Sequence, residues 1–524
     1  MGKRTITIKK KEPLMTKIPP QILLTFITLE RNKQQSLGRQ LYTQLRNALL
    51  GGMLRPGDRL PSTRDLAVEL GIARNTVLHV FEQLLIEGFL SGKTGSGTFV
   101  SEGLRNLSRR SAAAIPPPEP ALRQIKRPLG LNEAFGGHES SLEEIRPFQI
   151  SVPLVSSFPF DTWTRLANAV HRDLHRLHLG YDDAQGYLPL REALAAHLRI
   201  SRSIHCEAEN ILITHGSRQA IHLAAELLIG PGDACWMEEP GYNGAKSAIQ
   251  RFGGKTCAIP VGEHGMDLDY AIAHYPGAKL AYVTPSHQFP LGSTLSLDAR
   301  VRLLNYAAAQ GMWIIEDDYD SEFRYNSRPL PALQGLDTAG NVVYLGSLSK
   351  VLFPALRLGY LVLPNRELAR AFTIAKSAID GQCNIASQAI AAQFIAGGHF
   401  SRHIRKMKLR YKSAQDELVS LLGRHLPGLV KPVPAEAGMH LVAWLHPDLD
   451  AEFLSAKAQA QGMVLHSLQR YSLGPAGNAV VLGFSGFTKK ELEHGVLELK
   501  SLISDFYPLV PESEKERAQV RSPG

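Results

Sequence analysis

The segment Gly346-Ser347-Leu348-Ser349-Lys350-Val351-Leu352-Phe353-Pro354-Ala355-Leu356-Arg357 sets one primary amine among two hydroxyls and a guanidinium. It follows the apolar run Val342-Val343-Tyr344-Leu345, which reads as a buried parallel strand. Lys350 therefore falls just past a strand's C-terminal end, at the rim of an apolar interior. Desolvation there lowers an ammonium's pKa and frees its lone pair, which suits an imine with an aldehyde. Ser347, Ser349 and Arg357 are the donors that a phosphate monoester needs. Pro354 separates the lysine from the arginine, so the spacing predicts a loop rather than an unbroken helix. A Ser-rich turn with a surface lysine would look the same in isolation; the other strand ends break the tie.

Four more apolar runs end in polar clusters. Ile211–Thr214 precedes a helix over about 217–228, so Gly216, Ser217 and Arg218 open a helix whose free N–H groups and dipole favour a phosphate. The run 234–237 leads to Tyr242, an aromatic able to stack on a flat ring. The run 280–283 leads to Thr284-Pro285-Ser286-His287-Gln288, which puts His287 or Gln288 near a ring hydroxyl. The run 312–315 leads to Glu316-Asp317-Asp318-Tyr319. Asp317 there suits a proton on a ring nitrogen, which makes the ring an electron sink, and Tyr319 suits the ring hydroxyl. Each cluster matches one part of a phosphorylated pyridine aldehyde bound to Lys350.

Strands alternating with helices predict an α/β domain, a mainly parallel sheet with helices on both faces and ligands beyond the strands' carboxyl ends. From about residue 396 a basic amphipathic stretch (Arg402, Arg405, Lys406, Lys408, Arg410, Lys412) and further strands predict a smaller α+β subdomain. Its basic face reads as solvated or as a dimer edge. No metal site is expected: Cys206, Cys235, Cys257 and Cys383 lack CxxC spacing and read as buried free thiols.

The 524 residues are too many for one ordinary domain. No apolar run approaches the roughly 18 residues of a membrane span, and prolines interrupt the basic N-terminus, so a cytoplasmic protein is expected. The formal charge of +9 is uneven: residues 1–110 hold 18 Lys and Arg against 8 Asp and Glu, the remainder 40 against 41. Such concentration is the footprint of a nucleic-acid-binding module on a near-neutral body. Within it, Leu37, Leu41, Leu45 and Leu49 mark one helix face. Ser62 caps a second helix, and a third starts at Arg74-Asn75-Thr76 and carries Val77, Val80, Phe81, Leu84 and Leu85 on one side. Residues 88–100 read as a two-stranded wing. Arg74, Asn75 and Thr76 would face major-groove edges or phosphates, with Arg59, Ser62, Arg64 and Lys93 on the backbone or minor groove of double-stranded DNA.

The expected divisions are a basic arm over 1–35, a winged helix-turn-helix over 36–104, a Pro- and Ala-rich linker over 105–135, the large domain over 136–508 and a polar tail over 509–524, read as disordered.

The strings Leu60-Pro61-Ser62-Thr63-Arg64-Asp65-Leu66-Ala67, Leu70-Gly71-Ile72-Ala73-Arg74-Asn75-Thr76-Val77 and Gly95-Ser96-Gly97-Thr98-Phe99-Val100 resemble the winged helix-turn-helix of the GntR family of bacterial regulators. Ala73 stands where that family often has serine. Tyr181, Gly186-Tyr187, Leu190-Arg191, Thr214-His215-Gly216, Asp317 and Ser347-Leu348-Ser349-Lys350 with Arg357-Leu358-Gly359-Tyr360 resemble the fold type I, aspartate-aminotransferase superfamily of pyridoxal-phosphate proteins. Joined, the chain is similar over nearly its whole length to the MocR/GabR subfamily of GntR regulators. That resemblance implies pyridoxal 5'-phosphate on Lys350, a transcription factor, and a head-to-tail homodimer. A basic reader module and a full cofactor set in one chain point to an amino compound, or the cofactor itself, as the expected signal. One departure is that the late strand 479–484 lacks the substrate-carboxylate arginine of ordinary aminotransferases. Arg470, just upstream, either reaches the same place or is a loop arginine. A working aminotransferase with a DNA-binding head is the alternative function, and an empty dimerisation scaffold is a third.

Overall fold

The computed structural model describes residues 24, 26–31, 35–93, 97–104, 146–177, 180, 183–325 and 330–507. The expected linker and polar tail, and Tyr181, lie outside the described residues. The chain divides into two compact units, 1–128 and 129–524.

The head is three helices and a wing: α1 (Leu37–Leu50), α2 (Thr63–Leu70), α3 (Arg74–Ile86), β1 (Leu90–Lys93) and β2 (Gly97–Val100). Leu41, Leu45, Leu49, Leu66, Val77, Val80, Phe81 and Leu84 close its core. Leu85, expected on the same side of α3, faces solvent. Gly71 ends α2 at φ 62°, a left-handed conformation that turns the chain into α3 at no side-chain cost. Ala73 gives α3 no side-chain cap. The wing is antiparallel, pairing Leu90 with Val100 and Lys93 with Gly97.

The head reaches further back than expected. Leu24 and Ile27, in the stretch read as a basic arm, are buried in the head's core. Thr28 and Gln44 exchange hydrogen bonds of 2.9 and 2.7 Å, and Glu30 and Gln40 exchange two of 3.0 Å. Residues 24 and 26–31 thus form a strap along α1. The stretch Ile22-Leu23-Leu24-Thr25-Phe26-Ile27-Thr28-Leu29 is apolar enough to signal burial, but the lysines and prolines before it make the whole segment read as an arm.

The body is built on an eight-stranded sheet. Its strands are β3 (Ile211–Thr214), β4 (Ala234–Glu239), β5 (Lys255–Gly262), β6 (Gly265–Met266), β7 (Leu280–Val283), β8 (Trp313–Asp318), β9 (Val342–Ser347) and β10 (Gly359–Val362). The order is β3-β10-β9-β8-β7-β4-β5-β6. From β9 to β5 every pairing is parallel, while β10 runs against both neighbours and β6 against β5. Separate apolar clusters line the sheet, among them one of Leu212, Ala224, Met237 and Phe372 and one of Trp236, Ile259, Val283 and Leu303. Burial on both sides explains why these strands read as unbroken apolar runs.

The C-terminal part carries a four-stranded antiparallel sheet in the order β11 (Val430–Val433), β12 (His440–Leu445), β14 (Ala479–Gly483), β13 (His466–Ser467). The long helix His399–His425 packs Phe400, Met407, Tyr411, Leu418 and Leu422 inward. Arg402, Arg405, Lys406 and Arg410 lie on its exposed face, as a solvated face requires. All four cysteines are free and buried. Among the described residues no helix is long and apolar enough to cross a membrane.

Leu24→Ala should lower the opening free energy of the head by about 2–5 kcal/mol, the usual range for emptying a buried leucine site. Hydrogen exchange of peptides from 37–100 reads it in the full chain. Unchanged protection would show that the strap does not belong to the head's core.

Candidate functional site

Adjacent residues on a strand face opposite ways, and β8 uses this to separate two carboxylates. Asp317 faces Tyr282, whose hydroxyl donates to Asp317 Oδ2 at 2.5 Å. Asp318 faces the other side, where its Oδ2 accepts from Tyr344 (2.6 Å) and pairs with Arg202 Nε (2.7 Å). Asp317 Oδ1 is enclosed without a partner. Burial pushes the Asp317 carboxyl up to about 7, against the pull of Tyr282 and Lys350. Burial also lowers the Lys350 ammonium, opposed by Asp320 and Asp317. The Lys350 Nζ stands 5.9 Å from the centre of the Tyr319 ring.

Lys350 sits on one helical turn, Leu348–Val351, followed by a 3-10 turn at Pro354–Leu356. The loop expected between strand and arginine is therefore two short helical turns, with the break falling before Pro354. Arg357 then adopts φ 51°. Its Nη2 donates to the His215 carbonyl at 3.0 Å, and its guanidinium lies beside Gly216, 3.5 Å from where an ideal Cβ would stand. Gly216, at φ 94°, starts the helix Ser217–Leu228. Ser347 ends β9, Ser349 donates to the Leu358 carbonyl at 3.4 Å, and both are buried. Helix N–H groups, two hydroxyls and a guanidinium thus converge on one small region, while Arg218 is exposed at its mouth.

At the ring end, Tyr319 is buried and its hydroxyl is 3.0 Å from His287 Nδ1. The same nitrogen is 3.0 Å from Asp320 Oδ2, while His287 Nε2 is enclosed without a partner. Tyr242 packs edge-on against Phe289, and burial raises its hydroxyl pKa with Arg218 opposing. Gln288 departs from the expected role. Its Nε2 donates to the Pro240 and Phe289 carbonyls (2.9 and 2.7 Å) and its Oε1 accepts from Leu291 N–H. The amide is consumed in holding two loops together, because a buried side chain with donor and acceptor satisfies backbone groups first.

Sequence reasoning missed Tyr282, Asp320, Phe289, His440 and Arg202. Tyr282 sits inside an apolar strand, and only the parallel register with β8 brings it to Asp317. His440 comes from the other sheet, 5.2 Å ring to ring from His287, and burial lowers it to about 3. Arg202 ends a surface helix, where a lone arginine reads as a solvated charge. Asp320 carried the one available signal, a third acid within four residues of Asp317.

Arg470 lies in the 3-10 turn Leu468–Tyr471 with its side chain exposed, and its carbonyl accepts from Asn243 Nδ2 at 2.7 Å. It neighbours the Tyr242 loop rather than the interior. In the head, Arg64, Arg74 and Asn75 are exposed, Thr76 is half-buried and Arg59 lies against Gly97 of the wing. Ser62 is spent as the α2 cap, its Oγ accepting from Asp65 N–H at 3.1 Å and donating to Asp65 Oδ2 at 2.7 Å. That corrects its assignment as a DNA donor: the hydroxyl serves the helix. Lys93 is in β1, but its side chain is outside the described residues. Among those residues no cluster of three His, Cys, Asp or Glu could hold a metal.

An enclosed carboxylate oxygen fits a protonated ring nitrogen, and the cradle at Gly216 and Arg357 fits a phosphate. The comparisons agree. Residues 37–100 match the family of bacterial regulatory proteins, gntR family, and 155–495 match aminotransferase class I and II. The chain is 36% identical over 482 residues to the Rhizobium meliloti protein named Probable rhizopine catabolism regulatory protein MocR, covering 91% of this chain and 95% of that one. It is 29% identical to the pyridoxine biosynthesis transcriptional regulator PdxR of Corynebacterium glutamicum, over 91% and 98%. Among solved structures it resembles the alpha-aminoadipate aminotransferase LysN of Thermus thermophilus, complexed with N-(5'-phosphopyridoxyl)-L-leucine. There the TM-score is 0.65 at 27% identity, over 70% of this chain and 94% of that one. The Pyrococcus horikoshii kynurenine aminotransferase in complex with PMP gives 0.64 at 26%, over 70% and 93%.

Glu238, Glu316 and Asp317 are each pushed to about 7 and Glu322 to about 8, burial being the first cause in all four. The native state keeps protons that the unfolded chain releases near pH 4. That stabilisation is whole below pH 4 and is lost as pH rises towards 8. Urea midpoints followed by tryptophan fluorescence should fall between pH 5 and pH 8, and Glu322→Gln should flatten the fall by on the order of 1–4 kcal/mol. A midpoint that climbs over that interval would contradict the assignment.

Proposed function

Since the chain belongs to the MocR subfamily of GntR-type regulators, with an aminotransferase class I and II body, we propose that its body is the amine sensor of a transcription factor. It is a pyridoxal-phosphate-dependent, DNA-binding regulator. The finer reading is that it grips its operator as a homodimer and responds to an amino compound or to the cofactor's own supply, with Lys350 as the point of attachment.

The observation that carries this reading is the unpartnered Asp317 Oδ1 on the same side of β8 as Lys350. When bound, the cofactor supplies an aldehyde for a primary amine and a ring that withdraws electrons. Everything else belongs to the chain. Asp317 holds the proton at the ring nitrogen, and Tyr282 fixes that carboxylate's orientation. Tyr319 donates to the ring hydroxyl, braced by His287 and Asp320, and Tyr242 covers one ring face. Gly216, Ser217, Arg218, Ser347, Ser349 and Arg357 hold the phosphate. Burial lowers the Lys350 ammonium, opposed by Asp320 and Asp317, which shifts it towards the free amine that an aldehyde requires. Lys350 would hold the cofactor's aldehyde, and a difference in its attachment would bear on the turns between 348 and 357 that carry it, and through them on body geometry and operator affinity. Arg470, exposed beside the Tyr242 loop, is the candidate for an effector's carboxylate. In the head, Arg74, Asn75 and Thr76 read the operator, with Arg59, Arg64 and Lys93 on its backbone.

A second reading, a working aminotransferase, is favoured by the same intact set of Lys350, Asp317 and Tyr319. Sustained turnover with a keto-acid acceptor separates the two. Against it stands β14, whose residues Ala479–Gly483 include no arginine.

Lys350→Ala should lose the visible absorbance of the lysine imine and the response to amines, while operator affinity without effector stays within about threefold, under roughly 0.7 kcal/mol. Absorbance and a gel-shift titration measure the two separately. A variant that no longer binds the operator at all would refute a separable sensor.

A further inference from the structure

The strap places one charge at the DNA-reading end of the head. Arg31 closes it, donating from Nη2 to the Gly71 carbonyl at 3.0 Å. Gly71 is the left-handed turn between α2 and α3, two residues before Ala73 and three before Arg74. The first turn of α1 is also here, since an ideal Cβ on Gly38 would stand 3.3 Å from Thr76 Cγ2. Arg31 therefore sits at the junction of α1, the helix-turn-helix turn and the start of the recognition helix. It is exposed, and one contact engages one of the five N–H donors of a guanidinium.

Residue 31 precedes the stretch that matches the gntR family, which begins at 37. Its position is nevertheless fixed rather than incidental: Leu24 and Ile27 are buried behind it, and Glu30, next to it, is held to Gln40. A guanidinium pre-placed in this way loses less freedom on meeting a phosphate than one on an open chain. The outer end of the recognition helix adds its own N–H groups, since Ala73 provides no cap.

We propose that Arg31 is a DNA-contacting residue of the head, binding a backbone phosphate of the duplex beside the groove that Arg74, Asn75 and Thr76 enter. The inference rests on the head being the DNA-binding unit and not on any reading of the sensor body. A phosphate contact carries no base information, so it strengthens operator and unrelated duplex alike.

The test is the salt dependence of duplex binding by the full chain, for wild type, Arg31→Ala and Arg31→Lys. Arg31→Ala should weaken operator and scrambled duplex by the same factor. It should also make the plot of log affinity against log salt shallower by about 0.9 for each bound head. Arg31→Lys should keep the wild-type slope. Hydrogen exchange of peptides 37–100 reports whether the turn is intact in each variant. If Arg31→Ala changes operator affinity with the slope unaltered, or if Arg31→Lys loses the slope with the turn intact, the residue is a brace for Gly71 and the proposal fails. Loss of all duplex binding by wild-type protein would instead remove the premise that the head binds DNA.

Discussion

An acid that leaves one oxygen unsatisfied in the interior is the constraint around which the body is arranged. Asp317 Oδ1 has no partner, although burying a hydrogen-bonding group unpaired costs about 1–3 kcal/mol. The fold does not relieve that cost: Tyr282 from β7 pins the other oxygen, and Lys350 from the turn after β9 supplies only a distant charge. Unrelieved buried polarity of this kind persists where a ligand completes it. A protonated pyridine nitrogen would do so, and the oxygen that would receive it is placed by the parallel register of β7, β8 and β9.

The opposite side of β8 shows how the constraint is held. Arg202 spans Asp318, the Leu330 carbonyl and Ser286 Oγ, at 2.7, 2.8 and 2.6 Å. Ser286 immediately precedes His287, and Arg324 donates to the Ser286 carbonyl at 3.3 Å. Asp320 returns across the strand end to His287 Nδ1. Asp318 at the end of β8 and Asp320 two residues beyond it thus fix the His287 loop from two directions. Removing one partner of such a buried pair strands the other, which costs about 3–5 kcal/mol.

Those pairings mark the boundary of what was legible beforehand. Lys350, Asp317, Tyr319, Tyr242 and the Gly216 turn follow from strand ends, because a parallel sheet collects its carboxyl ends on one edge. Tyr282, Arg202 and His440 do not. Their roles depend on which strand lies beside which and on the approach of a second sheet, information that no local spacing contains. Of the two alternatives His287 and Gln288, Gln288 turns its amide to backbone carbonyls, and only His287 meets the Tyr319 hydroxyl. The strap was missed because the lysines of residues 3–17 set the reading of the whole arm, although the uncharged run 18–29 contains Leu24 and Ile27, which are core.

The Tyr242 loop and the segment bearing Arg470 form a single mechanical piece. Lys246, fully buried, donates to Glu239 Oε2 (2.8 Å) and to the Tyr471 carbonyl (2.6 Å), which also accepts from Gly241 N–H at 3.0 Å. Glu239 Oε1 in turn accepts from the Leu473 and Gly474 N–H groups, and Asn243 holds the Arg470 carbonyl. A buried ammonium cannot leave these partners without forfeiting several kcal/mol. An effector that engages Arg470 therefore cannot shift that segment without carrying the loop of Tyr242 with it. The Tyr242 loop and the Arg470 turn are thereby coupled rigidly, because each of the hydrogen bonds between them runs through the same buried pair of Lys246 and Glu239 or its immediate neighbours.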